Sequence, residues 1–374
     1  MRSPVCDLLG IDFPLLAFSH CRDVVAAVSN AGGFGVLGAG GLTPEQLDVE
    51  LRWIDEHTHA RPYGADILVP AKVIGQGQHL SGAELAAMIP ASHRDFVASL
   101  LESHGVSREE VQVATAAARL GQADAAEELL EVAFAHPIKL IANALGPPPP
   151  SMSKQARRAG VPVAALVGAR EHAIRQLNAG VDMLVAQGSE AGGHTGTVST
   201  LVLVPEILEV VAGRVPVLAA GGIMTGAQMA AVMALGAHGA WTGSVWLTTE
   251  EAETAPATKE KMLRATASDT VRSRGRTGKP ARQLRSDWTD AWEQPGGLDP
   301  LPMPLQSMIS EPALRRVDAA AAGGSARARE LATYFVGQGV GLMHSVKPAA
   351  RVVQEFMEDF AAASERLRLA VEGP

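Results

Sequence analysis

The feature that most constrains this chain is an alternation: short apolar runs, each closed by glycine or a polar turn, with amphipathic stretches between them. Runs at 13–18, 35–37, 64–69, 138–142, 162–167, 182–186, 216–220 and 239–242 are too short for helices and rich in Val, Leu, Ile and Ala. Such continuous apolar runs read as strands covered on both faces, the situation of a parallel sheet. Helical patterns lie at 23–31, 44–57, 151–159, 171–179, 204–212 and 226–235. Thr43 is placed to cap the second of these, with Pro44 at the first helical position, where a missing N–H costs nothing. Eight strands alternating with helices predict an α/β fold, a (β/α)8 TIM barrel, with a doubly wound open sheet as the alternative.

Two segments break the rhythm. Residues 70–118 form an insertion after the third strand, helical around 92–104, and the loops that follow barrel strands build active sites. The insertion is therefore predicted to lie over the pocket. The run Gly146-Pro147-Pro148-Pro149-Pro150 reads as a stiff linker into the next helix. After the eighth strand the chain turns polar and rich in Pro and Arg. The expected division is a barrel over 1–250, an appended irregular lobe over 251–330 and a C-terminal helix over 331–374 packing on the barrel.

Composition removes several classes of function. A formal net charge of −8 argues against nucleic acid or an anionic membrane as the main partner. Cys6 and Cys21 offer neither a disulfide framework nor a metal quartet, which fits a reducing cytoplasm. No apolar stretch reaches membrane-spanning length, and Met1-Arg2-Ser3-Pro4 opens no signal peptide, so a cytoplasmic location is expected. The expected partner is a small-molecule substrate, with a homodimer as the candidate assembly and no metal.

The chemistry concentrates in Gln187-Gly188-Ser189-Glu190-Ala191-Gly192-Gly193-His194-Thr195-Gly196, directly after the sixth strand run. Glycines admit tight backbone and close approach of a ligand, and histidine titrates near neutrality. His194 is thus expected to be an acid/base group on a loop, held by neither helix nor sheet. A second signal is a pair of glycine turns, Gly221-Gly222 after the seventh strand and Gly243-Ser244 after the eighth. In barrels these two loops commonly bind phosphate, aided by a helix N-terminus. The plainer reading is that Gly221 and Gly222 only make a tight turn.

Taken together, the histidine loop, Leu218-Ala219-Ala220-Gly221-Gly222 and Gly236-Ala237-His238-Gly239-Ala240-Trp241-Thr242-Gly243-Ser244 resemble the nitronate monooxygenase (2-nitropropane dioxygenase) family. They are also similar to its relatives, the flavin-dependent enoyl-acyl-carrier-protein reductases. Residues 29–38 and 277–282 resemble further family segments. The resemblance implies an FMN-binding barrel with the phosphate on Gly193, Gly222, Gly243 and Ser244, Gln187 beside the ring, Ala17, Phe18, Gly192 and Gly221 also in the cofactor site, and His194 catalytic. The family usually has Gln-Ala-Pro-Met after the first strand, where this chain has Ala17-Phe18-Ser19-His20. Asp66 stands where an asparagine is common. Ser19, His20 and Asp66 are therefore the candidate substrate-pocket residues.

Other titratable groups carry less weight. His57 and His59 sit at a helix end and read as surface or capping residues, and Lys72 reads as a solvated lysine. The cluster Arg272, Arg274, Arg276, Lys279, Arg282 and Arg285 suggests either a solvated lobe or contact with a phosphate-bearing substrate. Two activities are consistent with the motifs. One is oxidation of an alkyl nitronate by O2; the alternative is NAD(P)H-dependent reduction of an enoyl thioester or quinone.

Overall fold

The structure, a computed structural model, describes residues 3–69, 80–107 and 123–372. Strands β1 (Leu15–Ser19), β2 (Phe34–Gly38), β3 (Tyr63–Asp66), β4 (Ile141–Asn143), β5 (Val163–Val167), β6 (Met183–Gln187), β8 (Val217–Ala220) and β9 (Ala240–Thr242) close into one barrel. Every neighbouring pair is parallel, and β1 pairs with β9 to complete the ring. These are the eight strands expected from the sequence.

Alternation along each strand produces two cores. Leu16, Phe34, Val36, Met183, Val185, Leu218 and Trp241 fill the barrel interior. Leu15, Ala17, Leu37, Ile141, Leu184 and Val217 point outward and meet the helices. The helix Pro44–His57 begins as expected, with Thr43 and Gln46 forming a reciprocal capping box. The last helix, Ala349–Glu372, lies against the barrel through Val353 and Phe356. It crosses the helix Gly226–Ala234 so closely that a Cβ at Gly226 would stand 1.9 Å from the Phe356 carbonyl.

Residues 250–324 depart from the irregular lobe expected. They hold the helices Pro256–Arg264, Asp287–Trp292 and Leu305–Ala322, and strands β10 (Thr270–Ser273) and β11 (Ala281–Leu284). The reason is a partner distant in sequence. Leu85, Ile89, Val97 and Leu101 of the insertion pack with Trp288, Trp292, Met308, Ile309 and Leu314 to form a second hydrophobic core. The insertion is held there by His93 Nε2 at 2.9 Å from the Asp299 carbonyl and by His104 Nε2 at 3.0 Å from Asp287. Its described part thus joins the lobe, while 70–79 and 108–118, with Lys72, lie outside the described residues. Residues 331–348 are also not continuous helix: after a short helix ending at Leu331 they run over the barrel rim, including the 3-10 turn Gln338–Leu342. Among the described residues, no helix is long and apolar enough to cross a membrane.

Candidate functional site

The C-terminal ends of the strands gather the sequence-expected residues. The inward alternation that places Phe34, Val36, Met183 and Val185 in the barrel continues to Gly38, Asp66 and Gln187, which form the layer nearest the rim. Phe18 belongs to the same face and lies 6.4 Å from Trp241, the rings nearly parallel. Ala17 instead points outward into the helix layer. Ser19 also turns aside, its Oγ accepting the Cys21 N–H at 3.1 Å.

His20 reaches back over β2, with Nδ1 2.7 Å from the Gly38 carbonyl. His20 keeps solvent access at the barrel rim although protein atoms crowd around its ring. Desolvation lowers its pKa, and the nearby Arg276 guanidinium adds to that effect.

His194 corrects one expectation. It lies in a sheet: β7 (Gly193–His194) pairs antiparallel with β11, placing His194 opposite Ala281 and Gly193 opposite Arg282. Gly192 and Gly193 explain how a glycine loop became an edge strand. A Cβ on Gly192 would stand 2.9 Å from Val336 and Gly337 backbone, so only glycine lets the segment 336–337 approach. Gly193 has φ +75°, a conformation that favours glycine, and open space where its Cβ would be. The His194 ring is half-buried, with Nδ1 3.4 Å from the Pro280 carbonyl and Phe335 6.4 Å away, ring centre to ring centre. Burial brings its pKa down to about 4, assisted by Lys279. The imidazole is therefore neutral at physiological pH.

The first glycine turn lies against the histidine loop, because β8 is the barrel neighbour of β6, and a Cβ at Gly221 or Gly222 would meet Gly188 or Glu190 of that loop or Thr200 after it. Gly221 and Gly222 have φ +105° and +70°, and the helix Gly226–Ala234 follows, capped by Thr225. A Cβ at Gly243 would meet nothing within 4 Å. Open space beside Gly193 and Gly243 leaves their backbone accessible to a bound group. Ser244 Oγ accepts the Gly337 N–H at 2.8 Å, which ties the rim segment to the second glycine turn.

Several structural residues were not singled out from the sequence. The Glu190 carboxylate accepts the Thr200 N–H at 2.9 Å, an anion at the start of the helix Thr200–Val211. Thr200 Oγ1 lies 2.9 Å from the Gly221 carbonyl, so one threonine joins the histidine loop to the glycine turn. Arg276, from the arginine cluster, is buried and bidentate to Glu311 at 2.8 and 3.0 Å, beneath the rings of Tyr334 and Phe335. Although burial opposes ionisation, Arg276 holds Glu311 below the usual carboxylate range. Arg274 donates to the Gly278 and Pro300 carbonyls, and Arg285 pairs with Asp290. Arg272 and Arg282 face each other across β10 and β11 and form no ion pair among the described residues. The spacing Gly337, Gly339, Gly341 was the available signal for the rim segment.

A closed parallel barrel with its desolvated histidines at the C-terminal ends of the strands defines the class: a (β/α)8 enzyme whose site is built by the loops after the strands. The family model for nitronate monooxygenase matches residues 2–359, and the chain belongs to that family. The Mycobacterium tuberculosis protein Rv1533, named as a monooxygenase, is 56% identical over 364 residues, covering 96% of each chain. A Staphylococcus saprophyticus protein named as a nitronate monooxygenase is 29% identical over 303 residues, 77% of this chain and 80% of that one. Among solved structures, nitroalkane oxidase from Streptomyces ansochromogenes superposes with a TM-score of 0.78 at 26% identity, covering 97% of this chain and 99% of that one. FabK from Thermotoga maritima gives 0.70 at 25% identity, with 98% and 99% covered. The protein is an oxidoreductase of a flavin-enzyme family.

Proposed function

We propose that this protein is an FMN-dependent nitronate monooxygenase, oxidising alkyl nitronates with O2. The observation that carries the reading is His194, a neutral imidazole held on a two-residue strand beside a glycine-lined cleft. Backbone of Gly192, Gly193, Gly221, Gly222 and Gly243, with Ser244, would hold the FMN phosphate; Phe18 and Gln187 would border the ring, and Ala17 would do so only through its backbone. Bound there, a flavin supplies the two-electron chemistry linking substrate and O2.

The residues do the rest. With Nδ1–H directed to the Pro280 carbonyl, His194 keeps Nε2 as the proton acceptor. That nitrogen can take a proton from the carbon beside a nitro group, or orient a nitronate that has already lost it. His20 and Asp66 form the polar part of the substrate pocket. Phe335 and the rim segment limit water over His194.

A second reading, NAD(P)H-dependent reduction, is favoured by one feature. Arg272 and Arg282 stand directly opposite in the ladder, where like charges repel; each donates to backbone of the histidine loop, at Thr195 and Ser189, and a substrate phosphate would relieve the remaining repulsion. Reconstitution with FMN tests the main reading: one equivalent of flavin should be retained, and alkyl nitronate should drive O2 uptake. A protein that retains no flavin, or no O2 uptake with any alkyl nitronate, would overturn it.

A further inference from the structure

Asp66 is the one barrel-strand carboxylate that ends in the interior of the rim layer. It is 4% exposed, and its Oδ1 has no hydrogen-bond partner. Its other contact is the Ala144 backbone N–H. Gly64, two residues earlier, shows the direction: a Cβ there would meet Leu140 and Phe34 of the barrel interior. Asp66 therefore points the same way. Its register partner on β2 is Gly38, and a Cβ on Gly38 would strike the rings of Phe18 and His20. The orphaned oxygen thus belongs to the layer that floors the cleft, beside the residues assigned to flavin and substrate.

An isolated buried carboxylate is costly, and the group neutralises instead unless a cation or several donors hold it. Here the flanking strand ends, Gly38 on β2 and 141–144 on and after β4, bring no charged side chain. Across β2 the His20 ring stands over Gly38, and its Nδ1 is occupied by the Gly38 carbonyl. One backbone N–H is all that favours the anion, and burial moves the pKa up to about 7.

We propose that Asp66 acts as an un-ionised carboxylic acid, donating its proton from Oδ1 to an acceptor oxygen of the molecule bound above it. The carbonyl-like oxygen next to Ala144 accepts the N–H, so the other oxygen carries the hydrogen. The ligand class follows: a flat conjugated group with an exposed acceptor oxygen, either a flavin ring carbonyl or a nitronate oxygen. A group that can only donate would leave the proton facing another proton. This rests on the flavin reading for the identity of the ligand but not for the state of Asp66.

The apoprotein tests that state. A carboxyl raised in the fold favours folding at low pH, and this contribution is lost as pH rises from about 4 to about 7. Wild-type apoprotein should therefore lose stability over that range relative to Asp66→Asn, measured by denaturant unfolding, with the difference level above it. In the loaded protein, ligand binding should weaken about tenfold per pH unit above the titration in wild type and remain flat in Asp66→Asn. If the FMN Kd carries this dependence, the flavin is the acceptor; if only the KM for nitronate does, the substrate is. Apoprotein titration without any FMN retention would sink the flavin reading while upholding the neutral acid. Parallel stability profiles for wild type and Asp66→Asn would overturn the proposal, as would parallel pH dependences of both Kd and KM. Asp66→Leu controls for packing: it fills the space, cannot donate, and should weaken ligand at every pH where Asp66→Asn does not.

Discussion

At the N-terminal end of the barrel, His136 has Nδ1 2.6 Å from Asp55 and Nε2 3.2 Å from Asp48, and Tyr63 donates to Asp55 at 2.5 Å. At the C-terminal end, His194 has a single 3.4 Å contact to a carbonyl, and Asp66 Oδ1, Thr195 Oγ1 and Arg272 Nε lack partners. The same residue types are satisfied at one end and left open at the other. Buried polar groups are normally hydrogen-bonded, so open ones mark where a ligand completes the set. The closed network at the opposite end fits a stabilising role. Four further residues carry buried polar atoms without partners outside this rim layer, Gln176 on the helix Arg170–Asn178 and Gln283, Ser286 and Trp292 in the lobe, and the contrast does not explain them.

The contrast predicts that substitutions at the two ends differ in kind. His194→Ala should retain fold and flavin but lose about 10²–10⁴-fold in turnover, the usual worth of a general acid or base. Steady-state assays should show a greater loss with neutral nitroalkane than with nitronate if His194 abstracts the proton; equal losses indicate an orienting role. Turnover within a few-fold of wild type on a confirmed substrate would remove His194 from the chemistry.

Arg276→Leu sharpens the comparison from within the lobe. It leaves Glu311 buried without its partner, which costs about 3–5 kcal/mol, read as a shift in denaturant midpoint. Glu311→Gln in the same background should recover part of that loss, because it removes the stranded charge. At the closed end, His136→Ala should cost about 0.5–1.5 kcal/mol for the hydrogen bonds it removes, since Asp55 keeps Tyr63 and Asp48 keeps Arg52 and solvent, with KM unchanged. A changed KM with unchanged stability would invert the roles assigned to the two ends.

The barrel was legible because each strand carries its own signal. Runs such as Val181-Asp182-Met183-Leu184-Val185-Ala186 combine apolar continuity with glycine or polar stops, and Thr43-Pro44 marks a helix start locally. His194 and the glycine turns were legible for the same reason. What could not be read depends on pairing between distant segments. The partner strand of His194 is Ala281–Leu284, and the apolar partner of the lobe comes from 85–101. The lobe helix Leu305–Ala322 was passed over because its stretch is rich in Pro and Arg nearby, although Met308, Ile309 and Leu314 bury a clear face. The orphaned state of Asp66 is likewise a property of what does not surround it, and no local pattern records that.

The central claim is that the open end of the barrel binds a flavin and passes it electrons from a nitronate. The direct measurement is anaerobic mixing of the FMN-loaded protein with alkyl nitronate and, separately, with NADPH, following flavin absorbance. The account predicts bleaching by nitronate, recovery of the oxidised spectrum when O2 is admitted, and little change with NADPH. Bleaching by NADPH with none by nitronate would contradict it.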